Sequence, residues 1–387
     1  MKFRVERDVF GEAVSWAARA LPTRPVVPVL SGLLLHADGD QLRLSCFDYE
    51  VSASASVPAD VGEPGSALVP GRLLAEIARS LPPADVDVST AADMTMVTCG
   101  SAEFALVSMP LEEYPQLPEL PAPAGTVDGG LLAAAAAQVV PSASRDDTLP
   151  MLTGVYLDVD GAVLTLAATD RYRMAVRRIP WNPADPAARF SALVPARTLA
   201  DVARTVGPGQ PVTIAVGSAG NGGPRPADGM ISFDGAARRL TARLIGAEFI
   251  KYESRFPASF DASAELPAAA FTEAVRRVSL VADRGTPVQL AFRSDVVVIE
   301  AQSDGRARGV ESVPVTLAGA DQAISFNPHY LLDGLAAAAL TGGAGDGRIR
   351  LEFTSPARPA LITWVPAAES EPEFRYLVVP LRAPSAA

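Results

Sequence analysis

The chain is poor in lysine, histidine and cysteine. Of its 33 basic residues only Lys2 and Lys251 are lysines, and the rest are arginine. The two histidines, His36 and His329, are too few for a histidine metal centre, and no metal site is expected. Cys46 and Cys99 stand far apart at strand-like positions without zinc spacing, so they read as buried small hydrophobes in a reducing compartment. No GxSxG, P-loop or HExxH occurs. Gly217, Gly220, Gly222 and Gly223 follow a strand, yet Pro224 and Pro226 stand where a phosphate cradle needs a helix N-terminus. Asp146-Asp147 reads as a solvated turn, and Asp170-Arg171 as a turn with local hydrogen bonds. No catalytic residue and no cofactor are expected, and the chain is not read as an enzyme. The longest apolar run, residues 131–140, falls short of the roughly 20 a membrane span needs, and Met1-Lys2-Phe3-Arg4 lacks a secretory core. A cytoplasmic protein is expected.

A repeat organises what is present. Pro28-Val29-Leu30-Ser31-Gly32 matches Pro150-Met151-Leu152-Thr153-Gly154, and two alternating strands follow each copy around an Asp-Gly turn. Further on, Leu68-Val69-Pro70 and the helical run from Gly71 match Leu193-Val194-Pro195 and the run from Ala196. A weaker third copy opens at Arg284-Gly285-Thr286-Pro287-Val288 and resumes at Phe326-Asn327-Pro328. Units this long are whole domains, and 387 residues exceed the roughly 250–300 that one core serves. The boundaries are set at residues 1–122, 123–257 and 258–387. Each unit reads as α+β with a mainly antiparallel sheet.

In the first unit, strands are expected at 2–6, 32–37, 41–46 and 50–57, with helices at 8–20, capped by Asp8, and at 71–81. The proline-rich stretch 112–121 reads as a linker. Residues 217–229 read as a loop between strands 212–216 and 230–234, and the third unit adds a helix at 268–282 and a strand at 375–379.

The second helix of each unit carries the most informative charge pattern. Leu73, Leu74, Ile77, Ala78 and Leu81 fall on one face, with Arg72, Glu76 and Arg79 on the other. The second unit repeats this with Arg197, Asp201 and Arg204 opposite Leu199, Val202, Ala203 and Val206. In the third unit His329, Asp333 and Ala336 replace the arginines, and Arg276 and Arg277 on its first helix compensate. Arg24, Arg145 and Arg284 each precede a proline-containing strand approach. For one helix the stripe reads as a solvated face, whereas recurrence in two units favours a shared positive surface for phosphate. The net charge of −11 excludes a protein that coats nucleic acid with its whole surface, and leaves room for a local basic face.

Three α+β repeats, Arg24-Pro25-Val26-Val27-Pro28-Val29-Leu30, the segment from Ala168-Thr169-Asp170-Arg171-Tyr172 to Val176, and the ending Tyr376-Leu377-Val378-Val379-Pro380-Leu381-Arg382 together resemble the bacterial DNA polymerase III beta subunit family, its actinobacterial members most. The likeness covers nearly the whole chain. It implies a non-catalytic sliding clamp of the cytoplasm and nucleoid: a head-to-tail homodimer whose six domains close a ring around duplex DNA, with helices lining the hole. It places Arg24, Arg72, Arg79, Arg145, Arg197, Arg204, Arg276 and Arg277 toward DNA, held without sequence reading. Its implied partners are the DNA polymerase III alpha subunit, the clamp loader and other proteins with clamp-binding motifs, none of them in a membrane. Their peptides would enter a groove between the second and third domains, lined by Leu152, Thr169, Arg171, Tyr172, Arg173, Met174, Ile250, Pro359, Val378, Val379, Pro380, Leu381 and Arg382.

Departures from the family pattern bear on partner choice. Ile250-Lys251-Tyr252-Glu253 stands where actinobacterial relatives tend to have Pro-Lys-Tyr-Arg, and Ser254 where a groove arginine is usual. Alternative readings are a diverged second clamp tolerant of a peptide antibiotic, and a partner-binding scaffold that does not encircle DNA. At the subunit interface, assigned to Glu103, Phe104, Leu106, Leu280, Arg306 and Arg308, the acid Glu103 replaces the family's usual base and the arginines replace its acids. Reversed polarity would disfavour mixed rings.

Overall fold

The computed structural model describes residues 1–217, 229–283, 285–303, 305–342, 347–365 and 373–381. Arg284, Arg382, residues 383–387 and residues 218–228, most of the stretch expected as a loop, lie outside them.

Alternation and helical periodicity recur three times in one order. The first repeat runs β1 (Lys2–Val5), α1 (Arg7–Ala17), β2 (Gly32–Asp38), β3 (Gln41–Phe47), β4 (Val51–Pro58), β5 (Asp60–Glu63), β6 (Gly65–Pro70), α2 (Gly71–Ser80), β7 (Val86–Ala91), β8 (Met94–Cys99) and β9 (Ala102–Val107). The second runs β10 (Pro123–Asp128), α3 (Gly129–Val139), β11 (Gly154–Asp160), β12 (Val163–Thr169), β13 (Arg173–Pro180), β14 (Asn182–Pro183), β15 (Arg189–Pro195), α4 (Ala196–Ala203), β16 (Pro211–Gly217), β17 (Met230–Gly235) and β18 (Arg238–Arg243). The third runs β19 (Ala262–Pro267), α5 (Ala268–Ser279), β20 (Val288–Phe292), β21 (Val296–Ser303), β22 (Ala307–Pro314), β23 (Thr316–Ala318), β24 (Gln322–Phe326), α6 (Pro328–Gly342), β25 (Arg348–Phe353), β26 (Ala360–Trp364) and β27 (Phe374–Val378). The Asp-Gly turns behave as expected, because Gly39 and Gly161 both take a positive φ, +61° and +56°, that a side chain disfavours.

By contacts the chain forms two units that cut across the second repeat, residues 1–129 with 209–244 and residues 130–208 with 245–387. The cause is sheet continuity. In the first unit β18, the ninth strand of repeat two, pairs with β4, the fourth strand of repeat one, so that β10-β16-β17-β18-β4-β3-β2-β6 is one antiparallel run. In the second unit β27, the ninth strand of repeat three, pairs with β13, the fourth of repeat two, within β15-β11-β12-β13-β27-β26-β25-β19-β23. Two strands keep no such partner: β9 ends the sheet β5-β1-β7-β8-β9, and β22 ends β22-β21-β20-β24.

Two local expectations need correction. Asp8 does not cap α1; Glu6 occupies the N-cap without a side-chain bond, and Asp8 instead pairs with Arg7 at 2.5 Å in the first turn, where an acid still suits the helix dipole. Leu73 is 47% exposed rather than part of the α2 core, since Leu74, Ile77 and Ala78 already fill the buried stripe.

Candidate functional site

The turn between β12 and β13 is pinned from three sides. Asp170 Oδ1 accepts the amides of Tyr172 and Arg173, both at 3.1 Å, and the Thr169 hydroxyl donates to the Arg173 carbonyl at 2.6 Å. These bonds hold Arg171 at φ +81°, strained for a residue with a Cβ, and leave Arg171 and Tyr172 exposed. The local-turn reading of Asp170-Arg171 is therefore what the geometry shows.

The pairing of β13 with β27 brings the distant motif beside this turn. The Val379 amide donates to the Tyr172 carbonyl at 2.8 Å, and the Leu381 amide donates to the Ser325 carbonyl at 2.8 Å. Val379, Pro380, Leu381, Ile250 and Pro359 are half-buried. Leu152, Thr169, Met174 and Val378 are buried. Met174 packs into a cluster with Tyr252, Leu361 and Leu377, under the half-buried Phe249, Ile250, Phe256 and Phe260, so it supports the wall rather than forming its surface. Arg382 lies outside the described residues.

Helix α6 adds two residues that the motif comparison passed over, Tyr330 and Asp333. Asn327 Oδ1 caps the helix by accepting the His329 amide at 2.9 Å, which aims its first turn at the β12–β13 turn. Tyr330 stacks on Tyr172 with centroids 6.1 Å apart and planes 17° apart, and the Arg173 guanidinium sits 4.5 Å from the Tyr330 ring centre. Arg173 also pairs with Asp170 at 2.9 Å and with Asp333, and donates to the Pro141 carbonyl. Burial opposes its charge, but Tyr376, Asp333 and Asp170 outweigh that and hold its pKa above the ordinary arginine value. Tyr376 is buried behind it and donates to the Tyr330 carbonyl at 2.8 Å.

Gly334 makes room for that tyrosine, because a Cβ there would run into the Tyr376 ring. Alanine in a helix gains about 1 kcal/mol over glycine, while overpacking a core costs about 1–3 kcal/mol. The clash wins. Gly334→Ala is expected to lower the urea midpoint and weaken peptide binding; a stabilised variant would refute this.

The candidate DNA-facing arginines divide into two groups. Arg24, Arg145 and Arg197 are exposed and have no ion pair among the described residues. Arg72 donates to the Leu21 and Pro22 carbonyls, both at 3.2 Å, and Arg79 to the Ala75 carbonyl at 3.0 Å. Arg204 stands just beyond α4, not within it, and pairs with Asp201 at 2.5 Å. Arg276 pairs with Glu273, and Arg277 forks onto Glu311 at 2.6 and 3.0 Å, so the third repeat offers less free charge than its arginine count suggests.

The candidate interface residues lie on the two edge strands and beside them. Glu103 is exposed and Phe104 half-buried on β9, while Leu106 turns into the core. Arg306 is exposed just before β22, and Arg308 on it pairs with Glu300 at 2.7 Å, which holds the Glu300 carboxyl below its usual range. Leu280, at the end of α5, is 82% exposed.

Comparison with known families decides the assignment. The N-terminal, central and C-terminal domains of the DNA polymerase III beta subunit match residues 1–118, 126–251 and 253–382. The chain belongs to the DNA polymerase III beta subunit family. It is a sliding clamp of DNA replication, a processivity factor that is not an enzyme. Among the described residues no helix is long and apolar enough to cross a membrane. The chain is 49% identical to the beta sliding clamp of Streptomyces coelicolor, with 99% of each covered, and 39% identical to the beta sliding clamp homolog GriR of Streptomyces muensis, again with 99% of each covered. The crystal structure of the DNA polymerase sliding clamp from Bacillus subtilis superposes with a TM-score of 0.88 at 25% identity, covering 99% of both chains. Members of the family bind DNA, polymerase and other clamp-binding proteins, and form dimers.

Proposed function

We propose that two copies of this chain close head to tail around duplex DNA in the cytoplasm, at the nucleoid, and recruit partners through short peptides laid over the Arg171–Arg173 turn, Tyr330 and Val379–Leu381. The pairing of β13 with β27 carries this reading, since with α6 it gathers the exposed Tyr172, the half-buried Tyr330, arginines and half-buried aliphatic residues in the second unit. Such a surface suits a peptide with an apolar anchor and an acidic or polar flank. Exposed Arg24, Arg145 and Arg197 on a chain of net charge −11 suit weak phosphate contact, which lets a ring slide without reading bases. Identity is higher to the Streptomyces coelicolor clamp than to the homolog GriR, and this favours an ordinary clamp over a diverged second copy.

Two assays test the proposal together. Anisotropy of a labelled clamp-binding peptide should show saturable binding that Tyr172→Ala weakens by about tenfold or more, as expected for an aromatic anchor worth ~2 kcal/mol. The protein loaded by a clamp loader with ATP should stay on nicked circular DNA and leave once it is linearised. Peptide binding without retention would instead support the scaffold reading.

A further inference from the structure

The first unit holds a cavity that shares no residue with the peptide surface or the edge strands. On β3 the buried Leu42, Leu44 and Cys46 alternate with Arg43 and Ser45, and the Cys46 thiol reaches the Ala17 carbonyl of α1, so Arg43 and Ser45 occupy the other face. Along β4 the same face carries Ser52, Ser54 and Ser56. Arg43 lies opposite Ser56, Arg239 opposite Ser54 and Thr241 opposite Ser52. These side chains line a space of about 290 Å³, which Leu117, Pro118 and Leu120 of the proline-rich stretch also border. That is close to the lower end of ligand-pocket volumes, about 300–1,000 Å³.

The polar groups of this cavity are incompletely used. Ser52 and Thr241 are 7% and 2% exposed, yet their hydroxyls, like that of Ser56, have no partner among the described residues. Ser54 accepts from Ser45 at 3.1 Å. Asp234, the one carboxylate of the lining, is held by Arg239, and Arg238 reaches away to Glu12 and to the Trp16 ring. Arg43 has no ion pair among the described residues. These hydroxyls open onto the cavity and are free to bond what enters it. A guanidinium fork beside unpartnered hydroxyls is the donor set that a tetrahedral oxyanion takes.

We propose that this cavity binds phosphate, either the free ion or the phosphoryl end of a small ester, against Arg43, Ser54 and Ser56. Ser52, with Thr241 opposite it, stands two residues beyond Ser54, about 7 Å farther along the strand at ~3.3 Å per residue, where the pair would meet the hydroxyl groups of an ester. Phosphorus-31 NMR titrations of the full chain with inorganic phosphate and with glucose 6-phosphate, against chloride at equal ionic strength, test this. Saturable broadening is expected. Arg43→Gln should weaken it by about tenfold or more, the loss of a charge-assisted contact, with peptide binding and DNA retention unchanged. Tighter binding of the ester identifies the esterified source, and Thr241→Val should then weaken the ester alone; equal affinity identifies the free ion. No saturable binding, or binding that Arg43→Gln leaves unchanged, overturns the proposal and leaves water in the cavity.

Discussion

Exchanging Arg173 for glutamine is expected to cost the second unit about 2–3 kcal/mol and to weaken peptide binding by tenfold or more. Removing one partner of a buried pair costs about 3–5 kcal/mol, because the remaining charge stays desolvated. Here the Arg173 and Asp170 side chains are 10% and 12% exposed, while Asp333 is 45% exposed and rehydrates easily, so the cost falls at or just below the bottom of that range. The same guanidinium lies over Tyr330, and its loss frees both the ring that stacks on Tyr172 and the start of α6. Arg173→Lys separates charge from shape. A lysine retains the charge but not the fork that reaches Asp170, Asp333 and Pro141 together, so it should restore part of the stability and little of the peptide affinity. A double-mutant cycle with Asp333→Asn, read by urea melts and anisotropy, should give a coupling of about 1–2 kcal/mol. Additive effects, or a lysine variant that binds peptide normally, would mean that the network does not position this surface.

Local patterns were readable and junctions were not. The strand expected at 32–37 spans Gly32–Asp38, and the helix expected at 71–81 spans Gly71–Ser80, because alternation and helical period act within a few residues. The helix expected at 268–282 ends at Ser279, and the final strand runs Phe374–Val378, one residue earlier than 375–379. The repeat was visible from Pro28 to Gly32 against Pro150 to Gly154, since each copy repeats a short turn ahead of a strand. The pairing of β27 with β13 joins residues about two hundred positions apart and leaves no period in either strand. Tyr330 and Asp333 were missed for that reason: on α6 alone they read as one aromatic and one acid, and only the junction puts them against Tyr172 and Arg173.

The two unpaired edges predict how a second copy docks. Within the chain the ninth strand of one repeat meets the fourth of the repeat before it, with Arg238, the first residue of β18, opposite Ala55, the fifth of β4. Likewise Phe374, the first residue of β27, lies opposite Arg177, the fifth of β13. The remaining pair, β9 and β22, completes the series if it forms between copies, and a half-turn then closes two copies with two such junctions. The rule puts Ala102 opposite the partner subunit's Glu311, Phe104 opposite the partner's Gly309 and Ala105 opposite the partner's Arg308. Glu103 then stands diagonal to the partner's Arg308, an acid within reach of a base. Val107 and Val310, 65% and 49% exposed in the single chain, and Leu280 at 82% supply apolar surface at the edges. Leu280→Asp should cost about 2–4 kcal/mol at each junction and give monomers in sedimentation that are not retained on circular DNA. Ala105→Cys combined with Arg308→Cys should give covalent dimers on mild oxidation, since Cys46 and Cys99 are buried and do not compete. A Leu280→Asp protein that still sediments as a dimer, together with a cysteine pair that never cross-links, would mean that the copies meet through some other surface.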